Sequence, residues 1–363
     1  LVGHYAFLCR RRRPRFRPEA SLPSGLSGPY RRAIFFCLFA AYAILFIYKF
    51  YSGELTSLYE SIDDLKRPFF VNLLKLVESL EWFILAYGLL RYLRDKSSSA
   101  LFLPLAISSI IVFTAFVSTG KGNLVVLALI FGSCTWFIKG KLPKYTMVFL
   151  VVLVVLFSFY SFTARKFAYI NVRSTEGNTI SNLINVFDST SKAYASGNIS
   201  FSESFLPVFS RFYGTDGLIL CQRKNTILED GLYVAGSLVE FGNVIPRAFW
   251  PDRPHLSFNH HLTSAIWERP DILSEMPIGR IGESFFVLNW GGIIYAFFYA
   301  YLFNWLYVKF LFQAKDDLKN ALYIGLICIV VLPDAYLIYN WKAVVVLSVA
   351  YFFIRCCKKT NDV

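Results

Sequence analysis

Long apolar runs separated by polar breaks dominate the chain. Eight of them are uncharged or nearly so over most of their length, at about 33–51, 76–93, 100–117, 123–138, 145–163, 286–308, 320–335 and 339–355. A helix needs roughly 20 predominantly apolar residues to cross the hydrocarbon core of a bilayer. The pattern therefore predicts an all-α polytopic membrane protein with about eight transmembrane helices. The run at 76–93 is the weakest, because VESLEWFILAYGLL carries Glu78 and Glu81. Carboxylates within the bilayer are costly, so both are expected at the interfacial end of a tilted helix, the alternative being a polar interior that they face. Between the fifth and sixth runs lies one long polar segment, 164–285, the place for an external loop domain. Within it NTISNLINVFDSTSKAYAS spaces its apolar residues like a helix. FSESFLPVFSRFYG reads as a helix hugging the membrane, and Pro, Gly, Asn and His from 242 to 282 predict irregular backbone. No internal repeat or low-complexity tract is evident.

Composition agrees with that pattern. Of 363 residues, 56% are hydrophobic and only 17% charged, too apolar for an ordinary soluble domain. The formal charge of +13 would suit nucleic acid if it formed one patch, but it does not. The excess sits in RRRRPRFR (Arg10–Arg17), Arg31 and Arg32, RYLRDK, KGKLPK and the final RCCKK, all beside apolar runs. Lys and Arg near membrane helices mark cytoplasmic loops. Alternating the loops then puts 1–32 inside, the helices of 33–163 and 286–355 in the membrane, 164–285 outside and 356–363 inside. No nucleic-acid partner is expected; membrane lipids are.

Residues 1–9, LVGHYAFLC, precede the arginines. They are expected to be the stub of an upstream membrane helix or a misread start. They do not have the order of a signal peptide, whose charges come before its apolar part. The seven cysteines contain no CxxC pair and no zinc spacing. Cys356 and Cys357 end the last run and are read as membrane-edge residues, with acylation as the alternative.

The densest polar chemistry is NVIPRAFWPDRPHLSFNHHLTSAIW, Asn243–Trp267, which holds three of the four histidines. A zinc site from His255, His260 and His261 is not expected, since no HExxH pattern accompanies them. The order of motifs around this stretch is distinctive. An outside turn, TGKGNLVVLALI, opens a helix, and another helix ends in SFTARKFAYINVRS. SRFYGTDG, EFGNVIPRAFWPDRP and IGRIGESFFVLNWGGIIYAFFYAYL follow. From about residue 100 onward the chain resembles the bacterial Wzy-type oligosaccharide repeat-unit polymerases, which build O-antigen and exopolysaccharide. The resemblance rests on Pro246–Pro254, on Gly282–Gly291 leading into a late helix, and on the GKG turn. Members commonly have more than eight spans, which is where this chain departs from the pattern.

The resemblance implies a GT-C-like fold in the bacterial inner membrane with the large loop periplasmic. It also implies glycosyl transfer between undecaprenyl-diphosphate-linked glycans, with a chain-length regulator protein as a further partner. Negative charge develops on the departing diphosphate and needs fixed cations or a metal. The external loops contain no DxD pair, so no cofactor is expected and arginine, always charged and bidentate toward phosphate, is the candidate clamp. Arg165, Arg211, Arg247 and Arg253 are the candidate catalytic cations, the last two fixed between prolines. Each has an alternative use as a structural ion pair with Glu240, Asp252 or Asp216. Lys121 opens a helix in a glycine turn, where anions are favoured; its plainer reading is an interfacial lysine. Arg173 and Arg280 are further substrate-binding cations. The acceptor hydroxyl needs a proton acceptor, for which His260 and Glu283 are the candidates, with Glu283 equally suited to start a helix. Glu240, His255 and His261 are assigned to substrate binding. Trp250 and Tyr213 are placed there as sugar-stacking rings or, on the plainer reading, interfacial anchors. An O-antigen ligase-like transferase, or a transporter or flippase of lipid-linked sugars, is the competing function. A flippase would predict repeated halves with broken helices, which the sequence lacks.

Overall fold

The computed structural model describes residues 29–52, 55, 80–96, 98–118, 121–141, 144–163, 179–197, 292–312, 317–330, 348 and 352. All regular structure among them is helical. The helices are α1 (Pro29–Tyr51), α2 (Glu81–Asp95), α3 (Ser98–Ser118), α4 (Lys121–Lys139), α5 (Lys144–Thr163), α6 (Thr179–Ala195), α7 (Gly292–Leu306) and α8 (Asp317–Val330). α7 continues as a π-helical segment, Tyr307–Phe312. Among the described residues, three stretches are long and apolar enough to cross a membrane: Ala33–Tyr51, Ala100–Val117 and Gly122–Lys139. α5 holds a shorter apolar stretch, Met147–Phe157. The described residues thus form an all-helical membrane architecture, and three of the eight expected spans meet the length and hydropathy of a crossing helix among them.

Two compact units divide the chain. One comprises Leu1–Ile34, Arg67–Phe83 and Gly214–Val363; the other comprises Phe35–Lys66 and Ile84–Tyr213. In the second unit α3 packs on α4 and α4 on α5. α1 lies along α3 through two edge-on ring pairs, Phe39–Phe102 at 6.2 Å and Phe46–Phe113 at 5.8 Å. Both contacts advance in the same direction, so α1 and α3 run parallel. Phe116 of α3 stacks on Tyr160 of α5 at 4.8 Å. α4 stops where Gly140, at a φ of +65°, takes the left-handed conformation and donates its N–H to the Trp136 carbonyl at 2.8 Å, a common helix end.

The expected span with the weakest hydropathy signal is enclosed over most of its described length. Every residue of α2 from Trp82 to Leu90 is buried, and Glu81 forms its first turn, where the helix dipole favours a carboxylate. A glycine permits this enclosure: a Cβ on Gly88 would stand 3.1 Å from the Pro104 ring of α3. From α4, the Cys134 thiol donates to the Ala86 carbonyl at 3.8 Å. Elsewhere large apolar side chains point outward. Phe102 and Leu105 of α3, and Val148, Phe149 and Leu156 of α5, are about 60% exposed. Exposed apolar surface on this scale marks contact with a non-aqueous partner, here the lipid.

That setting changes what a core residue is worth. Phe35 is 1% exposed and stacks on Tyr87 with ring centroids 3.8 Å apart. In a soluble core Phe→Ala costs about 3–5 kcal/mol. Between lipid-embedded helices the transfer from water is missing, and the ring pair itself contributes about 0.5–1.5 kcal/mol. Phe35→Ala should therefore destabilise the full chain by only about 1–2 kcal/mol in bicelles, measured by reversible unfolding in mixed micelles. A loss as large as the soluble-core value would contradict the lipid-embedded reading.

In the first unit the π-helical segment following α7 packs on α8. Tyr307 meets Tyr323 ring to ring at 5.8 Å. Just before the segment, the Asn304 amide donates to the Ala300 carbonyl at 2.9 Å, a side chain competing with the helix's own ladder. α8 presents two small residues one turn apart, Ala321 and Gly325. Ala321 is fully buried, and a Cβ on Gly325 would lie 3.2 Å from the Phe83 nitrogen and 3.3 Å from its Cα. Small residues at this spacing let helix backbones touch in membranes.

Candidate functional site

Of the candidate site residues, Lys121 alone falls among the described ones, and its backbone is the first residue of α4. That is the position expected from TGKGN. The adjacent Gly122 has nothing within 4 Å of where a Cβ would project, so packing does not require a glycine there. Backbone N–H groups at the first turn of a helix have no intrahelical acceptor, and a glycine leaves them sterically open. The arrangement suits an oxyanion approaching α4 end-on, in line with the helix dipole.

The remaining candidates, Arg165, Arg173, Arg211, Tyr213, Glu240, Arg247, Trp250, Arg253, His255, His260, His261, Arg280 and Glu283, lie outside the described residues. Two of them have described neighbours along the chain. Arg165 follows the end of α5 at Thr163 by two residues, and Glu283 precedes the start of α7 at Gly292 by nine. Among the described residues no three His, Cys, Asp or Glu side chains gather as metal ligands. Any such ligation would have to come from residues outside them.

One polar feature was not anticipated from sequence. FQAKDDLK reads as an inside loop, yet its Asp317 begins α8 and is 7% exposed; Asn320, the first residue of the run at 320–335, is fully buried. Neither amide atom of Asn320 meets a hydrogen-bond partner among the described residues. Buried amides are ordinarily satisfied. The only sequence signal was the spacing: Asp317 and Asn320, three apart, share a helix face with the apolar residues that follow.

The chain matches no family model, no curated protein and no solved structure.

Proposed function

We propose that this protein polymerises undecaprenyl-diphosphate-linked oligosaccharide repeat units into O-antigen or exopolysaccharide, on the periplasmic face of the bacterial inner membrane. The observation that carries the reading is the order of motifs. A GKG turn opens one membrane helix, TARK closes another, and WPDRP then precedes GESFFVLNWG at the approach to a late helix. The described helices support it in two respects: α4 begins at Lys121, and α5 ends two residues before Arg165.

In the proposed reaction an acceptor sugar hydroxyl attacks the anomeric carbon of a lipid-linked glycan. The new C–O bond forms as the bond from that carbon to the diphosphate oxygen breaks. The diphosphate leaves with the electron pair, and the hydroxyl proton passes to His260 or Glu283. Arg165, Arg211, Arg247 and Arg253 stabilise the leaving charge without a metal, a role in which fixed cations act before any solvent can reorganise. Lys121, Arg173 and Arg280 hold the anionic lipid, Glu240, His255 and His261 bind sugar hydroxyls, and Trp250 and Tyr213 stack on the rings.

The test is reconstitution of the full chain in liposomes with a purified lipid-diphosphate repeat unit. Chain growth that persists in excess chelator is the expected result. Movement of the repeat unit across the bilayer without lengthening would establish a flippase instead. Transfer to a lipid A-core acceptor, in place of a second repeat unit, would establish a ligase.

A further inference from the structure

α6 turns two of its large apolar side chains outward. A helix in a polar segment normally buries its large apolar residues and exposes its small polar ones. Among the described side chains of α6, Thr190 and Ala193 are buried, at 6% and 7% exposure, while Ile184 and Phe187 stand 60% and 56% exposed. Ile184 and Phe187 are three apart and so lie on one side of the helix. Ser181, Asn185, Asp188 and Lys192 are also exposed and form an adjoining polar stripe. Within that stripe Lys192 and Asp188 form an ion pair at 2.6 Å, so the polar side carries no net charge.

We infer that α6 is an interfacial helix, lying in the surface of the same bilayer with Ile184 and Phe187 inserted among the lipid chains. Three observations favour lipid over a protein partner. The first is area. Two partly exposed side chains of this size offer roughly 200 Å², against about 800 Å² per partner in a stable protein interface. An amphipathic helix needs only such a stripe beside a polar one to seat at the headgroup boundary. The second is reach. The 15 residues 164–178 join α6 to the end of α5 and extend at most about 50 Å, so α6 stays within range of the membrane its own unit occupies. The third is consistency. Ile184 and Phe187 are exposed to the same degree as Val148, Phe149 and Leu156 on α5, so one solvent, the hydrocarbon, accounts for both. Because Asp188 neutralises Lys192, insertion depends on apolar burial and not on anionic headgroups.

This inference rests on the membrane architecture and is independent of the polymerase reading. Its consequence is positional: Gly197, with a φ of +69° two residues after α6 ends, is held near headgroup level.

The test uses the full chain in vesicles of phosphatidylcholine alone. The photo-crosslinking side chain p-benzoylphenylalanine replaces Ile184, Phe187, Ser181 or Asn185, one at a time. Mass spectrometry should find phospholipid adducts at 184 and 187 and none at 181 and 185. Adducts to protein at 184 and 187, within the chain or to a second copy, would overturn the inference. So would the absence of any adduct, which places these side chains in water. Lipid adducts that appear only after phosphatidylglycerol is added would also overturn it, by showing that charge drives the contact.

Discussion

Cells carrying Arg247→Ala or Arg253→Ala in place of the native protein should make surface glycan of a single repeat unit, with the variant still inserted in the membrane. Arg165→Ala and Arg211→Ala should do the same. The reasoning is electrostatic. In the proposed reaction the leaving diphosphate gains charge only as the sugar bond breaks, so a fixed guanidinium would act on the transition state more than on the bound lipid. Loss of one such donor typically costs about 100- to 1,000-fold in rate, enough for chain termination to outrun growth. Lysine at these positions keeps the charge but not the fork of paired donors, so Arg247→Lys should give short chains in place of none. Gel profiles of extracted glycan, read beside membrane fractionation, check this. Normal polymer from all four alanine variants would remove these arginines from the site.

Gly325→Leu should produce the largest structural effect of any single change among the described residues. Gly325 faces the Phe83 backbone, and even a Cβ would stand 3.2 Å from the nitrogen and 3.4 Å from the Trp82 carbonyl carbon. Those contacts are with backbone atoms, which cannot rotate aside as a side-chain tip can. Alanine there gains about 1 kcal/mol in helix propensity and loses about 1–3 kcal/mol to overpacking, so Gly325→Ala should be mildly destabilising. Leucine adds three more carbons in the same gap and forces α8 away from the Trp82–Phe83 backbone. The protein should then reach the membrane but be lost to proteolysis, or unfold in mild detergent at temperatures where the native chain stays monodisperse by size exclusion. A Gly325→Leu protein as stable as the native one would mean that α8 and Phe83 do not meet at this distance.

Several helices were legible because membrane helices are written locally. The runs at 33–51, 100–117, 123–138 and 145–163 reappear as Pro29–Tyr51, Ser98–Ser118, Lys121–Lys139 and Lys144–Thr163, offset by a few residues at most. NTISNLINVFDSTSKAYAS reappears as Thr179–Ala195. A continuous apolar run has no low-energy alternative to helix once it enters hydrocarbon, since every backbone amide must be satisfied within the segment. The Lys121 turn was legible for a similar reason, because a polar break between two apolar runs must hold a helix start. Arg247 and Arg253 were legible as candidate cations beside prolines, but not as a geometry. Whether Arg247 meets a phosphate or Asp252 depends on how a long polar segment closes on itself, and no short window of sequence encodes that closure.

Facing was decided by neighbours. Hydropathy made the segment at 76–93 the least convincing span, yet Trp82–Leu90 is buried throughout. The α2 residues need only suit the helices around them, and Gly88 lets the Pro104 ring approach where a Cβ would stand 3.1 Å from it. Asp317 reverses the lesson: a residue polar enough to predict a loop is enclosed at the start of α8. α6 shows it once more, turning Thr190 inward and Phe187 outward. The apolar runs determined which segments become helices, because that depends on the solvent each segment meets. The tertiary structure decided which side of each helix meets lipid, water or protein, because that depends on the shape of what packs against it.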